Sequence, residues 1–334
     1  MGCSMKSRLL ETENLWMNGI MGVVVGDVLG MPVQFFSRAE VKESPIMGIE
    51  GYGTYNMPPG TWSDDSSMTL ATLHSIREKK GIDYDDIMNR FMAWLADGEY
   101  TPAGEAFDEG NTCVYAIGNY ALTHNYKTCG KTGEYANGNG ALMRIMPVCL
   151  YAYVRYKNGE MNLKEALACV HQASALTHNH IRSQIACGIY FFMACAILDE
   201  EGTLTEKLQK GMDAAKKHYT SDITNMVEWS RFARMTDLSE FARLPEDAIK
   251  SSGYVVDSLE AAVWSLITTA SLKEGLLKAV NLGDDTDTVG AIAGGLGSLY
   301  YGYNGIPTDW LEAVIKREDI MKLCESVWEE YHVR

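Results

Sequence analysis

Between two mostly apolar runs, Leu276 to Leu282 and Val289-Gly290-Ala291-Ile292-Ala293-Gly294-Gly295-Leu296, the chain inserts Gly283-Asp284-Asp285-Thr286-Asp287-Thr288. Three carboxylates and two hydroxyls at the mouth of a tightly packed, glycine-rich helix constrain any fold severely. Close-set like charges raise one another's pKa values and oppose folding unless a cation sits among them. Carboxylate and threonine oxygens are hard ligands that suit Mg²⁺ or Mn²⁺. A second cluster, Trp62-Ser63-Asp64-Asp65-Ser66, opens another amphipathic helix marked by Met68, Ala71, Leu73 and Ile76. Two acidic helix starts, each with a hydroxyl beside the acids, read as the halves of a two-metal site. Either one alone also reads as an N-cap, because Ser, Thr and Asp cap helices and first-turn acids complement the helix dipole. Capping needs one such residue; both starts carry several.

Helical periodicity dominates the rest of the chain, and strand signals are scarce. Leu15, Trp16, Ile20, Met21, Val24 and Val28 predict a first helix ending near Gly30-Met31-Pro32. Gly51 to Gly60 predicts an irregular loop that delivers Asp64-Asp65. Ile87, Phe91 and Leu95 share one face of a helix capped by Asp83, and Thr101 to Thr112 predicts a polar loop. Asn137-Gly138-Asn139-Gly140 predicts a turn running straight into a helix over 141–154. Further helices follow around Leu163 to Val170 and Ile181 to Phe192. A charged helix over 204–218 and the polar stretch to Glu246 read as a peripheral excursion, after which 253–270, 279–301 and 310–331 return to the core. There is no internal repeat and no Pro/Ser linker. The expectation is one compact, multi-helix, all-α domain over 1–334, with an N-terminal extension over about 1–13 and the peripheral excursion over about 200–246.

At 334 residues and 46% hydrophobic, the chain can bury a sizeable core. Its formal net charge of −15 argues against a nucleic-acid backbone or an anionic membrane as partner. The eight cysteines form no CxxC pair, which predicts free thiols in a reducing cytoplasm. Met1 to Lys6 lacks the apolar segment of a signal peptide, and Lys6 stands where a myristoylation motif needs Ser or Thr. No apolar run is expected to reach transmembrane length. A soluble cytoplasmic protein is the expectation.

Five blocks occur in order: Gly26-Asp27-Val28-Leu29-Gly30-Met31-Pro32-Val33-Gln34-Phe35, Trp62-Ser63-Asp64-Asp65-Ser66-Ser67-Met68, Phe107-Asp108-Glu109-Gly110-Asn111-Thr112, Gly138-Asn139-Gly140-Ala141-Leu142-Met143-Arg144 and the Gly283–Thr288 cluster. Together they resemble the ADP-ribosylglycohydrolase family, which includes the enzyme that reactivates ADP-ribosylated dinitrogenase reductase. The likeness runs from about Leu15 to Trp328. It implies an all-α fold with a binuclear metal site in a central cleft and two Mg²⁺ or Mn²⁺ ions. It also implies metal-dependent removal of ADP-ribose from modified protein side chains, arginine foremost, by hydrolysis of the C1′ N-glycosidic bond.

Carried over position by position, the resemblance makes Ser63, Asp64, Asp65, Asp285, Asp287 and Thr288 the metal ligands. Asp284 occupies a position often held by Gly and is placed outside that set. Asp108, Asp65 and Gln34 are the candidate catalytic residues. Gln34 departs from the family's usual Pro-Val-Glu-Phe, and an amide is no general base at neutral pH. Either the metals and another carboxylate carry the proton chemistry, or activity is weakened or redirected. Asp108 matches an acid that faces the guanidinium of the modified arginine; its other reading is a loop brace. Asp27 reads either as a structural acid or as one supporting the metals from behind.

Gly138, Asn139 and Gly140 resemble a diphosphate-binding turn before a helix, or are simply a turn. Arg144 either helps with charge or caps a neighbouring helix. His178 is a candidate substrate contact, with His180 left to structure. Tyr254 matches an aromatic that stacks on adenine, with core packing as its alternative. The implied partners are an ADP-ribosylated protein and a cognate ADP-ribosyltransferase. The alternatives within the same fold are a catalytically weakened ADP-ribose binder, a crystallin-like structural protein and a toxin-immunity protein.

Overall fold

Helix α1 (Leu15–Gly30) has no polar face: every one of its residues is buried, so it belongs at the centre of the fold and not on its surface. A computed structural model describes residues 14–334; the expected extension over 1–13, with Cys3 and the Met1 to Lys6 signals, lies outside the described residues. Helices of nine residues or more then follow as α2 (Asp64–Lys79), α3 (Tyr84–Asp97), α4 (Asn111–Thr123), α5 (Met146–Lys157) and α6 (Leu163–Ala175). The second half supplies α7 (Ile181–Asp199), α8 (Leu204–Tyr219), α9 (Val255–Ile267), α10 (Leu272–Val280), α11 (Thr286–Tyr301) and α12 (Arg317–Glu330). Among the described residues the only β pairing is two isolated bridges, Lys131 with His178 and Gly138 with Tyr254. The fold is all-helical, as expected.

Helix α11 lies against α1 along a glycine seam. A Cβ on Gly26 would stand 2.0 Å from the Gly290 carbonyl oxygen, and one on Gly294 would stand 2.0 Å from that of Gly22. The reciprocal additions at Gly22 and Gly290 would meet the Gly294 and Gly26 oxygens at 2.2 and 2.3 Å. Glycines spaced four apart on each helix thus bring two backbones into direct contact, with Cα–H groups against carbonyls. The seam ends where Gly30 abuts Asp287: a Cβ on Gly30 would lie 2.3 Å from the Asp287 nitrogen, and Thr286 Oγ1 donates to the Gly30 carbonyl at 2.7 Å.

Three expectations change. The segment read as peripheral is packed into the main core through Leu208, Met212, Tyr219, Trp229, Phe232 and Phe241; its apolar residues are spread over short helices and 3₁₀ turns, which hides their common face. The helix expected over 141–154 begins only at Met146, and Gly140 to Arg144 are turns. Pro147 lies in the first turn of α5, where a residue without an N–H starts a helix but cannot continue one. Finally, Leu15–Val33 and Ile181–Asp199 are long and apolar enough by composition to cross a membrane, although no such run was expected. Their apolar windows are 100% and 78% buried within the fold.

Candidate metal centre and active site

Both acidic helix starts arrive at the lower end of the glycine seam. Asp27, on the last turn of α1, faces α2: its Oδ1 and Oδ2 accept from the Ser63 N–H at 3.0 and 3.1 Å. Its Oδ2 also accepts from the Ser66 N–H at 3.0 Å and the Ser66 hydroxyl at 2.5 Å. This acid therefore caps α2 from another helix and fixes where Asp64 and Asp65 stand. The seam does the same for α11, and one carboxylate oxygen each from Asp27, Asp65 and Asp287 lies within 4.8 Å of the others. The hydroxyls join them: Ser63 Oγ donates to Asp65 Oδ2 at 3.1 Å, and Thr288 Oγ1 to the same atom at 3.4 Å.

The oxygens left over define what the cluster can hold. Asp65 Oδ1, Asp285 Oδ1 and Asp287 Oδ2 are buried with no hydrogen-bond partner among the described residues. Buried acceptors are almost always paired, and an unpaired buried carboxylate is strongly unfavourable. Burial, reinforced by the neighbouring acids, holds Asp64, Asp65 and Asp287 well above the ordinary carboxylate range. Hard oxygens, several negative charges and neutral hydroxyls together fit a divalent cation of the Mg²⁺ or Mn²⁺ kind. Asp27 differs, because its oxygens are occupied by the α2 amides and Ser66; burial still raises it to about 6. Asp284 is exposed and sits in the left-handed region at φ 61°, where its backbone pairs with Phe35 and Phe36.

A cleft of about 230 Å³ opens over the acids, with Asp64, Asp285 and Thr288 in its wall. Asp108 and Gln34 line the same cleft. Asp108 adopts φ 61°, and its carboxylate accepts from the Tyr55 hydroxyl. Burial raises Asp108 to about 6, against the pull of the Tyr55, Asp287 and Gln34 side chains beside it. Tyr55 reaches it from the irregular 51–60 loop, which is pinned by Thr54: its N–H donates to the Pro32 carbonyl at 2.9 Å and its hydroxyl to the Gln34 carbonyl at 2.6 Å. Gln34 Oε1 is buried without a partner among the described residues.

On the opposite wall, Gly138, Asn139 and Gly140 form a turn whose glycines face the cleft. Its place is set by the bridge to the start of α9, where the Asn139 N–H donates to the Gly253 carbonyl at 3.0 Å and the Val255 N–H to the Asn137 carbonyl at 2.9 Å. The Asn139 amide donates to Asp285 Oδ2 at 2.7 Å and to Ser258 Oγ at 2.9 Å. That turn is thereby tied to the start of α9 and to the acid cluster, and it does not itself open a helix. His178 also lines the cleft, whereas His180 caps α7 by accepting from the Arg182 N–H. Tyr254 stands beside the cleft with its ring under the Arg182 guanidinium at 5.7 Å. Arg144 is buried behind the cleft and donates to the Ala173 carbonyl at the end of α6.

Sequence reasoning missed Tyr55, Ser66 and the capping role of Asp27. Ser66 had a local signal, since it stands inside the second acidic block. Tyr55 had none; its contact with Asp108 spans 53 residues.

The structure defines the class as an all-helical protein with buried, unpaired carboxylate oxygens beneath an open cleft, whose acids can hold a cation. A family model described as ADP-ribosylglycohydrolase matches residues 11–334. The chain belongs to the ADP-ribosylglycohydrolase family, and its members are hydrolases. It is 28% identical over 309 residues to ADP-ribosylarginine hydrolase Tri1 of Serratia proteamaculans, covering 92% of this chain and 77% of that protein. It is 29% identical over 299 residues to ADP-ribosyl-[dinitrogen reductase] glycohydrolase of Rhodospirillum rubrum, covering 88% of each. A solved structure titled ADP-ribosylglycohydrolase-related protein complex superposes with a TM-score of 0.75 at 28% identity, covering 95% of this chain and 98% of that one.

Proposed function

We propose that this protein, acting as a single domain, removes ADP-ribose from arginine side chains of modified proteins. We propose further that Ser63, Asp64, Asp65, Asp285, Asp287 and Thr288 hold two Mg²⁺ or Mn²⁺ ions for that reaction. The observation that supports it most is the set of unpaired carboxylate oxygens on Asp65, Asp285 and Asp287 under a cleft that also presents Asp108. The relatives named above support the arginine linkage. Divalent cations held by those six residues would supply Lewis acidity for the cleavage.

The protein's own groups do the rest. Asp108, braced by Tyr55, offers a planar acceptor to a guanidinium, the geometry in which carboxylates bind arginine best. With a pKa raised to about 6, it can hold or return the proton that the leaving guanidine needs. Gln34, uncharged, orients oxygen or N–H groups but moves no proton. The N–H groups of Gly138 and Gly140 have no partner among the described residues, which leaves them to a diphosphate approaching the turn. Tyr254, held by Arg182, serves the adenine end. A cognate ADP-ribosyltransferase supplies the substrate.

The test is release of ADP-ribose from an ADP-ribosyl-arginine protein by the purified chain, with Mg²⁺ or Mn²⁺ and with a chelator. Release that requires the cation is the expected result. Calorimetric binding of ADP-ribose without any turnover would leave a binding protein and end the hydrolase reading. Asp108→Asn is expected to lower kcat by roughly 10²-fold, the lower range for loss of a general acid or base, with KM changed far less. Steady-state rates on the arginine-linked substrate measure it; an unchanged kcat would remove Asp108 from the chemistry.

A further inference from the structure

A second pocket, of about 110 Å³, lies between α2 and the start of α12 and shares no lining residue with the cleft. Its apolar lining is Trp62, Leu70, Ile320 and Leu323, all buried. The loop over 98–101 forms one side. There the Trp62 indole N–H donates to the Tyr100 carbonyl at 3.1 Å, and Lys316 Nζ donates to the Thr101 carbonyl at 2.9 Å. Tyr100 and Lys316, both in the pocket wall, adopt φ 65° and 53°. Left-handed backbone at residues other than glycine is unfavourable, and such strain gathers at ligand sites. Close-packed interiors also leave few voids larger than a water molecule.

The polar groups of the wall are left without partners. His74 makes no hydrogen bond among the described residues, and its ring lies 5.4 Å from that of Tyr100 at 50°. Burial, then the Arg90 charge, lowers its pKa, so the ring is neutral and offers one donor and one acceptor. Lys316 has spent one of its three ammonium donors on Thr101 and forms no ion pair among the described residues. Asp319, with 75% of its side chain exposed, stands at the mouth and pairs only with Lys322, at 3.9 Å. One cation and one anion thus face a single pocket without pairing with each other. Their charges cancel, which disfavours an ionic ligand. A group with an acceptor on one atom and a donor close beside it satisfies both, and a primary carboxamide is a small group of that kind. Three rings in the wall, Trp62, His74 and Tyr100, favour an aromatic body. A closed cavity of about 150 Å³ holds one benzene ring; this smaller pocket, open at its mouth, admits one ring and no more. We propose that it binds a small neutral aromatic carboxamide, the ring against Trp62 and the amide between Lys316 and Asp319. The site stands whether or not ADP-ribose is hydrolysed in the cleft.

The experiment titrates the full-length protein with benzamide and follows the Trp62 indole N–H by ¹⁵N-resolved NMR, its signal assigned as the one missing in Trp62→Phe. A saturable shift with a millimolar Kd is expected for a ligand of this size. N,N-dimethylbenzamide keeps the ring and carbonyl but has no N–H, and is expected to bind about tenfold more weakly, the effect of one lost hydrogen bond. Lys316→Met removes the other partner of the amide and is expected to weaken benzamide by about tenfold. Ile320→Phe fills the pocket and is expected to abolish the shift. Melting temperatures report whether either variant folds, and the comparison of the two amides on the parent protein needs no variant. No saturable shift with benzamide, or equal affinity for the two amides, overturns the proposal. So does parental affinity in Ile320→Phe, or displacement of benzamide by ADP-ribose, either of which places the ring elsewhere.

Discussion

Asp287→Asn is expected to raise the melting temperature of the cation-free protein while abolishing both the Mn²⁺-induced rise and turnover. The two halves have one cause. Asp287 is fully buried among Asp108, Asp65, Asp285 and Asp27, and burial plus that company holds its pKa well above the ordinary range. Without a cation its charge opposes folding; the proposed cation would offset that charge. Mn²⁺ at about 100 times its Kd should add ~2.7 kcal/mol to the parent protein and nothing to the variant. Turnover should fall by roughly 10³-fold or more, because a catalytic cation supplies several kcal/mol of barrier lowering.

The sign with pH follows from the same shift. A carboxylate whose folded pKa exceeds its unfolded one keeps its proton longer in the native state, so stability is lost as pH rises through that window. The advantage of Asp287→Asn over the parent in chelator should therefore widen as pH climbs from about 4, the unfolded value of an aspartate, through Asp287's own raised folded value. His171 and His178, buried and held down to about 4 and about 3, push parental stability the other way. The difference between the two proteins, not either melting curve alone, is thus the quantity to measure. A parent more stable than the variant in chelator at pH 7.5 would refute the electrostatic account.

Gly26→Ala is expected to cost more than ~3 kcal/mol, the upper range for overpacking, and to take the Mn²⁺ response with it. The new methyl would stand 2.0 Å from a backbone oxygen of α11, where no side chain can swing aside. Relief requires the two helices to part, and parting them withdraws Asp287 from Asp65. Gly118→Ala provides the contrast: it lies on α4, where an added Cβ meets nothing within 4 Å. That change should stabilise by about 0.4–1 kcal/mol through reduced freedom of the unfolded chain. Urea denaturation of the three proteins measures both; a tolerated Gly26→Ala would mean that the seam does not hold the acids together.

Much of the architecture was legible because it is local. The 3.6-residue spacing from Leu15 to Val28 marked α1 to within two residues of its end, and Asp83 was read as a cap that the Asp86 N–H indeed finds. Ser63-Asp64-Asp65 and Asp285-Thr286-Asp287-Thr288 stand at helix starts, as their composition required. The errors were equally physical. Asn137-Gly138-Asn139-Gly140 looked like a helix entry, yet Pro147 postpones the helix and Asn139 turns its amide to Asp285. The 204–246 stretch looked peripheral because Trp229, Phe232 and Phe241 share a core face that no single helix periodicity displays.

By itself, the sequence determined an all-helical chain, two acid-rich helix starts and the kind of oxygen ligand they offer, since periodicity, capping and ligand chemistry are properties of neighbouring residues. The tertiary structure alone decided that those starts meet, that Asp27 caps α2, that Tyr55 braces Asp108, and that Arg144 reaches Thr177. Each of these depends on groups far apart along the chain. Only the packing of α11 on α1, at a distance that glycine permits, turns two repulsive local clusters into one site.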